Sequence, residues 1–375
     1  MSSALLIGYG VAVGVQLLYL LLIFSRTAFY RARPSEPGTR PGVSVVVCAW
    51  NEADNLRSLI PQLFAQQYPE FEVVVVNDRS TDETFALLHQ FSQQYPALRV
   101  VHIDRTPAHV AAKKYALTLG IKGARYEVVL LTDADCRPAS DRWIEAMADA
   151  LRADKDLVLG VSPYYKERGL LNALIQFETF YTALQYVSLA LVGRPYMGVG
   201  RNLLYRRAFF LQNRGFERHY GVLGGDDDLF VNRTATARNT AVCLDPDSFV
   251  YSFAKTRWAH WFTQKRRHLS VSSRYRRGSK LVLGTLALSQ LAVWGLLVAL
   301  LALYGYRRDV PMLGLVLGAW LLRLAVQWYV YARANRTLAG MLSAGWVPVY
   351  DAFLTVYSVV MGTVMAFFRK KITWR

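Results

Sequence analysis

The sequence predicts an α/β protein in which a mostly parallel sheet carries helices on both faces, set between apolar segments of membrane-spanning length. Three observations predict it. From residue 43 onward, short β-branched runs alternate with helical patterns, the mark of βαβ units. Residues Ala4 to Phe24 are apolar and uncharged, long enough as a helix to cross a bilayer. Further apolar segments follow Lys280. At 53% hydrophobic residues the chain is more apolar than a typical soluble domain, and its 375 residues exceed one compact core.

Ala4 to Phe24 reads as a retained anchor, because Arg26, Arg31 and Arg33 follow the apolar run, whereas a signal peptide carries its positive charge in front. The Pro/Gly-rich stretch Arg33 to Gly42 breaks regular structure. Strands are then expected at Val43 to Cys48, Glu72 to Asn77, Leu98 to Ile103 and Val128 to Thr132. Helices are expected at Ala53 to Ala65, Thr81 to Phe91 and Ala108 to Ile121. Ser80, with Glu83 three residues on, is the expected N-cap of the second of these. Beyond Leu157 the pattern is less regular, with a long apolar helix at Leu170 to Leu191, a strand in Gly198 to Tyr205 and a helix opening at Gly225. Lys255 to Arg277 mixes Trp258, Trp261 and Phe262 with Lys265, Arg266 and Arg267, the composition of an amphipathic helix at a membrane surface. The closing apolar segments are Leu281 to Tyr304, Pro311 to Tyr331 and Trp346 to Phe368; Arg323 and Asp351 mark the last two as candidates for a re-entrant path. The expected organisation is therefore an anchor at 1–30, a linker at 31–42, an α/β domain at 43–254, a basic interfacial helix at 255–280 and C-terminal transmembrane segments at 281–375.

The formal net charge is +17. Such a balance suits nucleic acid, anionic lipid or phosphate-bearing ligands. Position favours lipid, because Arg31 and Arg33, Lys265 to Arg267, Arg274 to Lys280 and Arg369 to Lys371 flank apolar segments; this also places the α/β domain on the cytoplasmic side. Cys48, Cys136 and Cys243 are odd in number and lack zinc spacing, as expected of reduced thiols.

The chemistry lies at the strand ends. The first strand runs into Asn51-Glu52, the second into Asn77-Asp78 and the fourth into Asp133-Ala134-Asp135. Each alone is equally well explained as a turn or cap. Three acidic ends on the ligand-binding edge of one parallel sheet are not. Asp133 and Asp135 would repel unless a positive group lies between them, and a hard cation such as Mg²⁺ or Mn²⁺ suits carboxylate oxygens shared with a diphosphate. Asp226-Asp227-Asp228 after Gly224-Gly225 reads equally as a favourable helix start or as a general base. Lys113 and Lys114 read as a solvated pair or as a contact to phosphate, and Gly198-Val199-Gly200 is a weak signal.

Taken together, Val43 to His268 resembles the family 2 glycosyltransferases of GT-A fold. The pieces stand in the family's order: VVVCAWNEADNL from Val45, NDRSTD from Asn77 with Asn in place of the first Asp, KKYALTLG from Lys113, TDAD from Thr132, Gly215-Phe216-Glu217, the acidic run from Asp226, and Gln264-Lys265-Arg266-Arg267-His268 in place of a Q-x-x-R-W segment. The resemblance implies that Asn51, Glu52, Asp78, Lys113, Asp133 and Gln264 hold the donor, that Asp135 with Asp133 holds Mg²⁺ or Mn²⁺, and that Arg267 neutralises the leaving diphosphate. Asp226 aligns with the catalytic carboxylate, but Gly225 replaces the usual Glu and leaves Asp227 as the other candidate base. His268 stands where Trp is usual, which weakens a polymer-stacking role. The implied activity is metal-dependent, inverting transfer of a hexose from a nucleotide sugar, a UDP-sugar first, to a lipid-linked or saccharide acceptor at the membrane, with no nucleic-acid partner. A processive polysaccharide synthase is the rival enzyme, and a non-catalytic membrane protein binding nucleotide or lipid is the rival from another class.

Overall fold

The structure, a computed structural model, describes residues 2–32 and 40–367. The chain divides into two compact units, one of Met1–Tyr30 with Arg276–Lys371 and one of Arg31–Tyr275. The first opens with helix α1 (Ser2–Leu18), which passes through a π-helical stretch at Tyr19–Phe24 into α2 (Ser25–Ala28).

The second unit begins with the alternation read from the sequence: β1 (Val43–Ala49), α3 (Ala53–Phe64), β2 (Phe71–Asp78), α4 (Thr84–Gln94), β3 (Leu98–Ile103), α5 (Ala112–Gly123) and β4 (Val128–Asp133). It continues with β5 (Cys136–Pro138), α6 (Trp143–Asp149), β6 (Leu157–Leu159), α7 (Leu170–Leu191), β7 (Leu203–Arg206), α8 (Arg207–Gln212), α9 (Asp228–Thr234), β8 (Thr240–Val242), β9 (Val250–Ser252) and α10 (Trp258–Ser272). Among the described residues a seven-stranded sheet runs β3-β2-β1-β4-β7-β6-β8, and β5 pairs with β9 apart from it. The first four strands are parallel; β7 is antiparallel to both β4 and β6.

The sheet lies where it does because β1, β2 and β4 have almost nothing polar to show on either face. Val43, Val45, Val47, Val73 and Val75 pack with Leu56, Leu59, Ile60, Leu88, Trp143 and Ile144 from α3, α4 and α6. Val76 faces the other way, toward Ala116 of α5. Gly120 lets α5 approach this closely: a Cβ there would stand 2.6 Å from Val46 Cγ1 and 2.9 Å from Val76 Cγ2. Buried polar side chains tie the far half of the sheet. Trp143 Nε1 donates to Asn202 Oδ1 at 3.0 Å, and Asn202 Nδ2 donates to the carbonyls of Val161 and Ser248.

Several boundaries differ from the sequence reading for local reasons. The helix expected from Thr81 starts at Thr84: Ser80 accepts a hydrogen bond from the Asn51 amide, and Asp82 accepts the one from Thr84 N–H. The strand expected from Gly198 is confined to Leu203–Arg206, and the helix expected from Gly225 starts at Asp228. Gly224 and Gly225 have φ of 78° and 70°, outside right-handed helix.

The first unit closes with α11 (Arg277–Tyr306), α12 (Val310–Thr337) and α13 (Val347–Phe367). Among the described residues four helical stretches are long and apolar enough to cross a bilayer: Ser2–Ala28, Arg277–Tyr306, Val310–Thr337 and Ala344–Thr363. The α1 helix runs antiparallel to α11, with Gln16 reaching Leu286 and Ser289 and Tyr19 reaching Val282. The two charges that marked α12 and α13 as re-entrant candidates pair with each other, and both helices are continuous. Arg323 Nη1 lies 2.6 Å from Asp351 Oδ2, at 1% and 0% exposure. Arg323 Nη2 also donates to Gln16 and Gln290, while Gln290 Nε2 and Trp294 Nε1 donate to Asp351. Every one of the four helices contributes to this cluster. The basic tail Arg369 to Lys371 lies outside the described residues.

A buried pair is costly to break and cheap to replace as a whole. Arg323→Met or Asp351→Met should each destabilise the protein by about 3–5 kcal/mol, and the two replacements together should cost clearly less than the sum. Thermal unfolding of the four proteins in one detergent closes this double-mutant cycle; additive losses would rule the coupling out.

Candidate active site

Strand register assembles the site. Ala49 pairs with Asn77 and Cys48 with Asp133, so the carboxyl ends of β1, β2 and β4 meet at one edge. The two loops leaving that edge are stitched together. Asn51, at a left-handed φ of 55°, donates its amide N–H to Ser80 Oγ at 2.9 Å and accepts from Thr81 N–H at 2.7 Å. Glu52 donates its amide to Thr84 Oγ1 and accepts from Asn55 Nδ2 at 2.7 Å. Burial pushes the Glu52 carboxyl above its usual range against the Asn55 hydrogen bond, and Asp135 and Asp133 add to the push. Asp78 is buried and held by the next residue, with Arg79 Nε at 2.8 Å.

Lys113, in the first turn of α5, is the hub. Its Nζ stands 2.7 Å from Asp133 Oδ1 and 3.6 Å from Asp226 Oδ2. Burial disfavours both charges, yet the attraction wins. Asp133 is held below the usual carboxylate range by Lys113, with help from Arg201 and Arg267. Lys113 is held well above the usual lysine range by Asp133 and Asp226.

The three consecutive aspartates do different things. Asp227 caps α9: its Oδ1 accepts from Asp228 N–H at 2.8 Å and its Oδ2 from Gly200 N–H at 2.7 Å. Burial, then Asp226, push its carboxyl up. Asp228 Oδ2 accepts from the Tyr275 hydroxyl at 2.9 Å, and burial with Asp227 nearby drives that carboxyl well above its usual range. Asp226 instead faces Lys113. The glycines around them are closely packed. A Cβ on Gly200 would stand 3.2 Å from Asp227 Oδ2, and one on Gly225 would stand 2.8 Å from Val271 Cγ1 and 2.9 Å from Leu229 Cγ. There is no room for the glutamate that the family pattern carries at 225.

Helix α10 brings Gln264 and Arg267, both half-buried. Arg267 Cγ lies 3.6 Å from where a Cβ on Gly224 would be. This helix is less outward-facing than its composition implied: Trp261 is buried and donates Nε1 to Glu178 Oε2 at 3.0 Å, and Lys265 pairs with the same carboxylate at 2.9 Å. Arg201 is a site residue that the sequence reading missed. It lies 4.5 Å above the Tyr164 ring, donates Nη2 to the Ser162 carbonyl, and adds positive potential at Asp133. The only signal for it was the adjoining Gly198-Val199-Gly200, which is weak alone.

Asp135 fits a cation-binding role better than Asp133 does. Lys113 takes Asp133, whereas among the described residues Asp135 accepts only a weak thiol contact from Cys136 at 3.6 Å. No group of three or more His, Cys, Asp or Glu side chains that could hold a metal ion exists among the described residues. A divalent ion here would thus depend on oxygens of a bound diphosphate and water besides Asp135.

Residues 44–212 match the family model described as glycosyl transferase family 2. The chain carries a family 2 glycosyl transferase domain. Among its relatives, a glycosyltransferase, AglE, of Haloferax volcanii is 32% identical over 109 residues, covering 28% of this chain and 34% of that one. A beta-monoglucosyldiacylglycerol synthase of Synechocystis is 37% identical over 127 residues, covering 33% of this chain and 23% of that one. The match spans about a third or less of the length of these relatives. A mannosyltransferase from Pyrobaculum calidifontis, solved with GDP-Man and Mn²⁺, superposes over 99% of this chain and 100% of its own at a TM-score of 0.61 and 19% identity. That likeness is one of fold, and the fold of the transferase domain is GT-A.

The crowding at Gly225 gives a direct test. Gly225→Ala should destabilise the protein by about 1–3 kcal/mol, from overpacking and a strained φ. Gly10→Ala, in a helix with nothing within 4 Å, should be neutral or stabilising by about 1 kcal/mol. Chemical unfolding in detergent compares the two, and equal effects would contradict this account of Gly225.

Proposed function

We propose that the chain is a membrane-bound, inverting, hexose-transferring glycosyltransferase that moves a sugar from a nucleotide sugar, a UDP-sugar first, to a lipid-linked acceptor. The observation that carries this reading is Lys113 held between Asp133 and Asp226 at the carboxyl edge of a family 2 domain. One acid is thereby turned toward the donor side and the other left to face an incoming hydroxyl.

Asp226 is the general base of this proposal, and Asp227 is not. Both oxygens of Asp227 already accept backbone N–H groups, so it serves to shape the loop. As the acceptor oxygen bonds to the anomeric carbon, its proton passes to Asp226. The bond from that carbon to the phosphate oxygen breaks, and the electron pair leaves with the nucleoside diphosphate. Arg267 and Lys113 supply fixed positive charge to the leaving group. Asn51, Glu52, Asp78 and Gln264 line the donor side. Asp135, with Asp133 beside it, would hold Mg²⁺ or Mn²⁺, whose chemistry when bound is Lewis-acid stabilisation of the diphosphate.

The helices long enough to cross a bilayer and the Synechocystis relative named for a diacylglycerol product support a lipid acceptor. Arg26, Arg31 and Arg274 to Lys280, at the junctions with the apolar helices, support a cytoplasmic transferase domain.

Release of nucleoside diphosphate from a panel of nucleotide sugars, measured on the full chain in detergent with membrane lipid extract, tests the proposal. Release should require Mn²⁺ or Mg²⁺, cease with chelator, and fall at least ~100-fold in Asp226→Ala and Asp135→Ala, within the range of lost general-base and electrostatic catalysis. Release unaffected by both substitutions would sink the mechanism.

A further inference from the structure

Lys114 follows the hub lysine but turns away from it. Its side chain is 1% exposed, and Nζ donates to two backbone carbonyls, His219 O at 2.7 Å and Val222 O at 2.9 Å. No carboxylate among the described residues lies within ion-pair distance of it. Burying an ammonium on carbonyls alone is unfavourable. Burial pushes Lys114 down to about 8; Asp226 and Asp227 oppose the shift, and Arg274 adds to it. A lysine placed merely for solubility would lie in water.

The carbonyls it holds are special. Residues 216–222 form a tight turn, with His219 N–H donating to Phe216 O and Val222 N–H to His219 O. A third carbonyl of that turn, Tyr220 O, accepts from Ala111 N–H at 2.7 Å, also at the start of α5. Only Leu223, Gly224 and Gly225 separate the pinned Val222 from Asp226. The last two are glycines, at positive φ, and glycine restrains the backbone less than any other residue. Helix α5 therefore grips Asp226 twice: through the Lys113 side chain on its carboxylate, and through Lys114 on the turn that leads to it.

We propose that Lys114 is a positioning residue for the transfer, one that fixes the 219–222 turn on α5 and so sets the distance between Asp226 and Lys113. This rests on Asp226 being the base. Lysine suits the task because one flexible stem ends in several donors, enough for two carbonyls at once. Methionine would fill the same space and leave Val222 O without a donor.

The test uses the full chain in detergent. In Lys114→Met, hydrogen–deuterium exchange of the 217–226 amides should rise tenfold or more while exchange in β1, β2 and β4 stays at wild-type rates. With the nucleotide sugar found in the panel, kcat should fall about tenfold or more and the donor KM should change less than twofold. Lys114→Arg, which keeps the charge and the donors, should recover part of both, and it carries the comparison if Lys114→Met does not fold. Unchanged exchange in the turn overturns the proposal. So does faster exchange with unchanged kcat, and so does a loss of kcat matched by an equal rise in donor KM and a general rise in exchange, the mark of a simply destabilised protein. If the wild type transfers no sugar, it is the proposed transfer that fails; the exchange result still decides whether Lys114 holds the turn.

Discussion

Like charge is the central difficulty of this site. Glu52, Asp78, Asp133, Asp135 and Asp226 approach one sheet edge, and the parallel ladder fixes where the strands β1, β2 and β4 deliver the first four, because its register is set by buried valines. Lys113 resolves the conflict at its centre by engaging Asp133 and Asp226 together. Arg201, in the turn before β7, and Arg267, on α10, reinforce it. The cations do not neutralise everything, and Asp135 keeps its carboxylate for other use. Around this arrangement each neighbour has a mechanical part: Asn51 joins two loops, Asp227 caps α9, and Gly200 lies close against the Asp227 carboxylate.

Much of this was legible in the residues. The β-branched runs from Val43, Glu72 and Val128 read as buried strands and are; of the polar side chains within them, Ser44 and Glu72 bond to each other at 2.6 Å. The acidic strand ends were readable too: a parallel α/β sheet presents its strand ends on one side, so order along the chain becomes proximity in space. What was not legible depended on packing between distant segments. Lys113 and Lys114 look alike in sequence, and only the position of the 219–222 turn separates them. Asp226 and Asp227 could not be ranked until Gly200 was seen to occupy one of them. Arg201 was hidden because its partners, Tyr164 and Ser162, lie some forty residues away. The helix beginning at Trp258 looked outward-facing by composition, yet Glu178 draws Trp261 and Lys265 inward.

The helical unit answers a different problem with similar means. Arg323 and Asp351 each looked like a defect in an apolar helix. Together, with Gln16, Gln290 and Trp294 supplying hydrogen bonds, they become a cross-link between helices whose other contacts are mostly apolar. In a bilayer, hydrophobic burial would not specify register among such helices, since lipid and neighbour would be equivalent to a leucine. A polar cluster can, because it is satisfied in one arrangement only.

The space around Gly225 also limits how this sequence can change. A glutamate at 225 meets Val271 and Leu229 before it reaches any ligand. The residue could be regained only if the branched side chains at 271 and 229 both drew back, changes that offer nothing by themselves. Positions 225, 229 and 271 are thus locked into one choice. Libraries that vary position 225 alone will keep returning glycine, whereas libraries that vary all three together open the alternative.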